Sequence, residues 1–307
     1  MVDAQAPRTR YRSIIADSSR WDGFAFRPGD IVISAPSKCG TTWAQMICAL
    51  LVFQTPDLPA PLTTLSPWLD MRIRPLSEVR DRLAAQRHRR FVKTHTPLDG
   101  LPTDSRVTYL ALGRDPRDVA RSLRHQGANL RRDVLRVLVG DPEAFPGEGM
   151  GPAGPAEERA YFLRWMDNDD DPVGNLDSLR GLVWQTSQAW TRRHRPNVVL
   201  LHYGDLIRDL EGEMRRLADR LAIDVPERLW PELVAAAGFD RMRTRSADRV
   251  PDEGLGIMRS TDRFFRSETS GGWRDVLTTD DLARYDERLA ELAAPELVHW
   301  LHDGRLG

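Results

Sequence analysis

Of the 44 basic residues in this 307-residue sequence, only Lys38 and Lys93 are lysine, and all the others are arginine. An ammonium is a compact, rotatable point charge, whereas a guanidinium is a wide planar fork. Two lysines kept where arginine fills every other basic position mark crowded ground around a small anion. Lys38 sits in the turn Ala35-Pro36-Ser37-Lys38-Cys39-Gly40, and Thr41 and Thr42 follow at once. Lys93 stands two residues before His95, which precedes Thr96 and the helix-breaking Pro97. A lysine-bearing, glycine-containing loop that opens into a helix offers unpaired backbone N–H groups and the positive end of a dipole. That combination binds phosphate or a group shaped like it. Imidazole titrates near neutral pH, so a histidine at a strand end beside a cation can take a proton from a reacting group. A third cluster, Gly113-Arg114-Asp115-Pro116, sets a guanidinium fork where a strand runs into a helix start.

These residues need a scaffold, and the hydrophobic pattern supplies one. Asp30–Ser34, Arg90–His95, Val107–Leu112 and Asn197–Tyr203 read as strands. Thr41–Phe53, Arg74–Arg89, Leu176–Arg193, Leu210–Leu221 and Glu227–Ala237 read as helices. Asp115 caps a further helix with proline at its first position, which is expected to run on through Arg131-Arg132 to Val139. Strands alternating with helices predict an α/β fold, a central parallel sheet flanked by helices, in one domain over residues 1–307. Residues 1–29 form a polar lead-in docked by Trp21, Phe24 and Phe26, and about 140–174 is expected as a variable acidic loop region. In a parallel sheet the strand ends face the ligand crevice, which brings Lys38, His95 and Arg114 to one edge.

Composition narrows the classes. The chain is 41% hydrophobic and 29% charged, with a net charge of −1, which gives no reason to expect a nucleic-acid surface. The longest apolar run, Met46 to Phe53, is too short to span a bilayer, and no signal-peptide core precedes it. Cys39 and Cys48 form neither a disulfide framework nor a metal-ligand pattern, so no metal is expected. A cytoplasmic enzyme is the expectation, and the arginine bias fits a GC-rich bacterial genome.

Residue order then separates phosphate proteins. A nucleotide-hydrolysing P-loop reads GxxxxGK[ST], whereas here Lys38 precedes Gly40, and no magnesium-binding aspartate ends a clean apolar strand. KCGTTW instead resembles the phosphosulfate-binding loop of the sulfotransferase family, usually written PKSGTTW. That family transfers the sulfuryl group of 3′-phosphoadenosine-5′-phosphosulfate (PAPS) to an acceptor and releases adenosine 3′,5′-bisphosphate (PAP). The resemblance implies that Lys38 contacts the phosphosulfate oxygens. Gly40, Thr41 and Thr42 then hold the 5′-phosphate, and Trp43 lies against adenine. Cys39 replaces the usual serine, which weakens one contact. KTHTP resembles the family's KTHLP, whose histidine is the catalytic base, so His95, Lys38 and Lys93 are the expected catalytic residues. Arg114-Asp115-Pro116 with Ser122 resembles RNPxDxxxS, implying that Arg114 and Ser122 hold the 3′-phosphate.

Phe264 to Arg274 resembles the closing signature RKGxxGDWK. Arg266, Gly271 and Trp273 match, while Ser267 replaces a lysine, Glu268 a glycine and Gly272 an aspartate. Tyr203 and Phe239 resemble the family's two adenine-flanking aromatics. The same resemblance allows a homodimer, although only Arg274 and Thr278 fit the dimerisation segment. The four segments occur in the family's order from Asp30 to Arg274. The expected acceptor is a hydroxyl, or an amine, of a small apolar molecule, shaped by Thr55–Arg74, Gly127–Asp177 and Phe239–Thr261. Trp68, Tyr161, Phe162 and Trp165 supply its apolar character. A P-loop kinase or hydrolase, and a non-catalytic nucleotide-binding protein, are the competing readings.

Overall fold

The apolar runs fold as four short strands buried on both faces: β1 (Ile31–Ser34), β2 (Phe91–Thr94), β3 (Thr108–Gly113) and β4 (Val198–His202). A computed structural model of the chain describes residues 5–145, 150–151, 154–244, 253–260 and 270–305. All strand pairs are parallel, in the order β2-β1-β3-β4. The register sets Ser34 beside Thr94, and Gly113 beside His202. Alternate side chains go to opposite faces. Ile31 and Ile33 join the larger core, and Val32 joins a second one with Trp21, Val79 and Leu83.

Thirteen α-helices are assigned among the described residues. The first five are α1 (Thr41–Phe53), α2 (Leu62–Leu65), α3 (Leu76–Ala85), α4 (Pro116–Asn129) and α5 (Arg132–Val139). They are followed by α6 (Pro155–Met166), α7 (Leu179–Trp190), α8 (Tyr203–Arg208), α9 (Leu210–Arg220) and α10 (Trp230–Ala237). The last three are α11 (Phe239–Thr244), α12 (Thr279–Leu292) and α13 (Pro295–Asp303). None is long and apolar enough to cross a membrane among the described residues.

Three expectations change. The helix opened by Asp115 stops at Asn129, because Leu130 pairs with Met258 and the Arg131 N–H donates to the Ile257 carbonyl at 2.9 Å. The 140–174 stretch is not a loop throughout. Pro155–Met166 forms α6, opened by proline at its first turn, with Phe162 and Trp165 packed into the core. The helical layers also extend past Ala237. Trp300 of α13 lies so close to Gly113 that a Cβ there would sit 2.3 Å from its ring.

Between β1 and β3 the chain reverses its direction of travel across the sheet, since β2 lies on one side of β1 and β3 on the other. Such a switch point opens a crevice at the carboxyl ends of the strands. The loop after β1 and Arg114 after β3 flank it.

Candidate active site

The turn after β1 is held in backbone conformations that ordinary side chains avoid. Lys38 has φ of 68° and Gly40 has φ of 94°. At Gly40 a Cβ would also meet Tyr203 Cδ2 at 2.9 Å, so both the conformation and the space demand glycine. A left-handed lysine costs on the order of 1 kcal/mol, and such strain concentrates at functional sites. Thr41 and Thr42 are buried at the start of α1, whose first N–H groups lack intrahelical partners. The Thr41 hydroxyl is buried without a hydrogen-bond partner.

The β1–β2 register brings His95 to this turn. Its Nδ1 lies 2.6 Å from the Ala35 carbonyl oxygen, an atom that only accepts. Nδ1 therefore carries the proton, and Nε2 keeps its lone pair. Burial, then Lys93 and Lys38, push the imidazole down to about 3, so it stays neutral across physiological pH. Gln185 of α7 donates to the His95 carbonyl at 2.9 Å, and the Trp68 ring stands edge-on to the imidazole at 4.6 Å. The Lys93 ammonium lies over the same indole at 4.5 Å. Buried Asp70 braces the segment by accepting from the hydroxyls of Thr94 and Thr96 and from the Trp21 indole N–H.

At the end of β3, Arg114 is buried with its guanidinium 4.0 Å over the Tyr203 ring. One of its N–H groups donates to the Lys38 carbonyl at 3.2 Å, while Nε is buried and unpaired. Arg114 and Lys93, after burial itself, push Lys38 down to about 7. Three mutually repelling cations and two orphaned buried donors, Arg114 Nε and Thr41 Oγ1, make a site that fits a multiply charged anion. Asp115 caps α4 by accepting from the Arg117 N–H at 2.9 Å. Asp118, on the same helix, accepts from the Gly271 N–H at 2.9 and 3.1 Å and so ties down the start of the C-terminal segment.

A cavity of about 390 Å³ joins these groups. Lys38, Gly40, Thr41, Thr42, Trp43 and Arg114 line one part of it, with Ser122, Tyr203 and Phe239. Trp43 packs edge-to-face on Tyr203 at 5.3 Å, and its indole N–H donates to the Ala237 carbonyl at 2.9 Å. It is thus both a core and a lining residue. Lys93 and His95 mark the junction with a second part bounded by Trp68, Met71, Leu135, Tyr161, Ile257 and Met258.

Not every expected residue reaches the cavity. Cys39 is fully buried in the core with its thiol pushed up to about 12, so only its backbone can serve a ligand there. Arg266 and Ser267 lie outside the described residues. Phe162 and Trp165 belong to the core rather than to an acceptor wall. Arg121 also lines the cavity and donates to Glu158 at 2.7 Å. The acidic run lies outside the cavity lining, and its Asp167 and Asp169 pair with Arg284 and Arg288. Asp70 and Gln185 carry no local motif that names them, and their partners are 24 or more positions away in the sequence. Asp118 fills the aspartate position of RNPxDxxxS, but its partner Gly271 lies 153 positions away.

Comparisons with known proteins bear on the family and the fold. The sulfotransferase domain family matches residues 28–295. A glycolipid sulfotransferase of Mycobacterium bovis (strain BCG / Pasteur 1173P2) is 45% identical, over 98% of this chain and 96% of its own length. Among solved structures, retinol dehydratase in a complex with retinol and PAP superposes with a TM-score of 0.68 at 22% identity, covering 94% of this chain and 86% of its own. A mouse sulfotransferase complexed with PAP gives 0.66 at 19% identity, covering 92% and 90%. A kinase or hydrolase reading is not favoured.

Proposed function

The chain belongs to the sulfotransferase domain family, and from that premise we propose that its cavity transfers the sulfuryl group of PAPS in line to a hydroxyl of an amphiphilic acceptor, with His95 as the base. The observation that carries this reading is the fixed tautomer of His95. Its Nδ1–H is committed to the Ala35 carbonyl at 2.6 Å, which leaves the Nε2 lone pair free to accept a proton in a cavity bordered by Lys38, Lys93 and Arg114.

In this reading Lys38, Gly40, Thr41 and Thr42 hold the phosphosulfate, Arg114 and Ser122 the 3′-phosphate, and Trp43, Tyr203 and Phe239 the adenine. Arg266 and Ser267 are proposed to complete the 3′-phosphate contacts. The donor supplies an electrophilic sulfur with a phosphate leaving group. The acceptor oxygen forms a bond to sulfur as its proton passes to His95 Nε2. The sulfur–oxygen bond to phosphate breaks, and its electron pair leaves on PAP. Lys38 and Lys93 face the charge that develops on the sulfuryl and bridging oxygens, and such fixed cations act most strongly in a water-poor site. Positioning and electrostatics do most of this work, as in phosphoryl transfer. Anionic donor beside the two lysines also offsets the charge that depresses His95, so the base strengthens when the donor is bound. The apolar second part of the cavity suits an aliphatic or aromatic acceptor body, and the mycobacterial relative's name, a glycolipid sulfotransferase, points the same way.

Labelled PAPS tests this with an acceptor panel. Wild-type protein transfers label, and His95→Ala loses about 10²-fold or more of kcat, the usual contribution of a general base, while still being stabilised thermally by PAP. Unchanged turnover in His95→Ala overturns the assignment.

A further inference from the structure

One carboxylate in the cavity has no place in donor binding. Asp177 lines it together with Ser37, His95 and Tyr161. No cation pairs with Asp177 among the described residues, although Lys38, Lys93 and Arg114 border the same space. Its side chain is exposed, and it lines the cavity. The surrounding protein pushes its carboxyl above the ordinary range, and the Ser37 hydroxyl partly offsets this. An acid here works against an anionic donor, so its use lies with the acceptor.

Its backbone is tied to the start of α7. Asp177 immediately precedes Ser178, the N-cap of α7, whose hydroxyl accepts from the Gly181 N–H at 2.9 Å. The Asp177 N–H donates to the Asn175 side chain at 3.0 Å. Gly181 lies so near Leu176 that a Cβ would meet its carbonyl oxygen at 2.6 Å. Two turns along the same helix, Gln185 holds the His95 carbonyl at 2.9 Å. Helix α7 thus links the segment that carries Asp177 to the segment that carries His95.

We propose that Asp177 determines acceptor specificity by accepting a hydrogen bond from a second hydroxyl of the head group whose first hydroxyl faces His95, so that the preferred acceptors are amphiphiles with a sugar-like head and an aliphatic tail. This rests on the sulfuryl-transfer reading above. A carboxylate accepts hydrogen bonds from several directions and matches a polyol. The hydroxyls of Ser37 and Tyr161 beside it extend that surface. A cationic head is disfavoured by the three cations of the same cavity. Met71, Leu135, Ile257 and Met258 give the tail an apolar channel.

The test compares n-dodecyl glucoside, dodecanol and dodecylamine as acceptors of labelled PAPS. Wild-type protein prefers the glucoside. Asp177→Ala lowers the glucoside-to-dodecanol ratio of kcat/KM about tenfold or more, because a site built to bond a hydroxyl gains little from an acceptor lacking it. Asp177→Asn, which keeps an accepting oxygen, recovers part of the ratio. It also carries the test if the alanine variant fails to fold, with stabilisation by PAP reporting the fold. An unchanged ratio, equal losses on both acceptors, or a loss confined to dodecylamine overturns the proposal. Wild-type protein that is stabilised by PAP but sulfates none of the three overturns the sulfuryl-transfer reading itself, and this proposal with it.

Discussion

Lys38, proposed to hold the phosphosulfate, sits where its backbone and its charge are poor for stability. Its φ of 68° strains the backbone, and burial with Arg114 and Lys93 holds its ammonium at about 7. Lys38→Gly relieves both, so thermal unfolding should show an equal or higher Tm while turnover disappears; a clear fall in Tm would contradict the strain argument. The pH dependence has two signs. In the free protein the folded state binds fewer protons than the unfolded chain between about pH 7 and the ordinary lysine range, so this group makes stability rise with pH there. An anion on the loop favours the charged form, so PAP binding should take up a proton and weaken as pH climbs from about 7 to 9. Calorimetry in buffers of different ionisation enthalpy measures that proton. Proton release instead of uptake would exclude Lys38 as the coupled group. The pairing of lysine with glycine and threonine is legible along the sequence, but a depressed pKa is not, because Arg114 and Lys93 approach only in the fold.

At the scale of elements, the strand–turn–helix unit is readable because its signals are local. Thr41–Phe53 is helical over the whole span that its apolar spacing indicates. The helix after Asp115 is shorter than its pattern suggests, since continued periodicity to Val139 says nothing of a distant strand-like partner at Ile257 and Met258. Helix α6 is hidden in the sequence because glycine, proline and acidic residues around it dominate the composition. The junction of turn and helix at Gly40 is the element most sensitive to substitution. With φ of 94°, and with Tyr203 at 2.9 Å from the position a methyl group would take, Gly40→Ala should cost about 1–3 kcal/mol and weaken PAP binding together. Denaturant titration with and without PAP checks both; an alanine variant as stable and as tightly binding as the wild type would show that the turn can relax.

For the whole molecule, the last helix supports the first chemistry. Trp300 of α13 lies against Gly113, the residue before Arg114, and contacts Trp190 at 5.5 Å and His202 at 5.3 Å. Removing a buried tryptophan costs about 3–5 kcal/mol. Trp300→Ala should therefore lower Tm and also weaken PAP binding, although Trp300 lies outside the cavity lining. Thermal unfolding with a PAP titration reads both. A loss of Tm with unchanged PAP affinity would mean that Arg114 keeps its position without this support.

The sequence by itself determined which residues are proposed for the donor side, because loop, strand-end and helix-start signals are encoded within a few neighbouring positions. Lys38, Gly40, Thr41, Thr42, His95, Arg114 and Ser122 all line one cavity. Only the tertiary structure decided which way those residues face. It turned Cys39 into the core, fixed the His95 tautomer through Ala35, and set Asp70, Asp118, Gln185 and Asp177 around the site. The reason is physical: a hydrogen bond or a desolvated charge belongs to a pair of groups, and the partners here lie tens of positions apart until the parallel sheet brings the strand ends together.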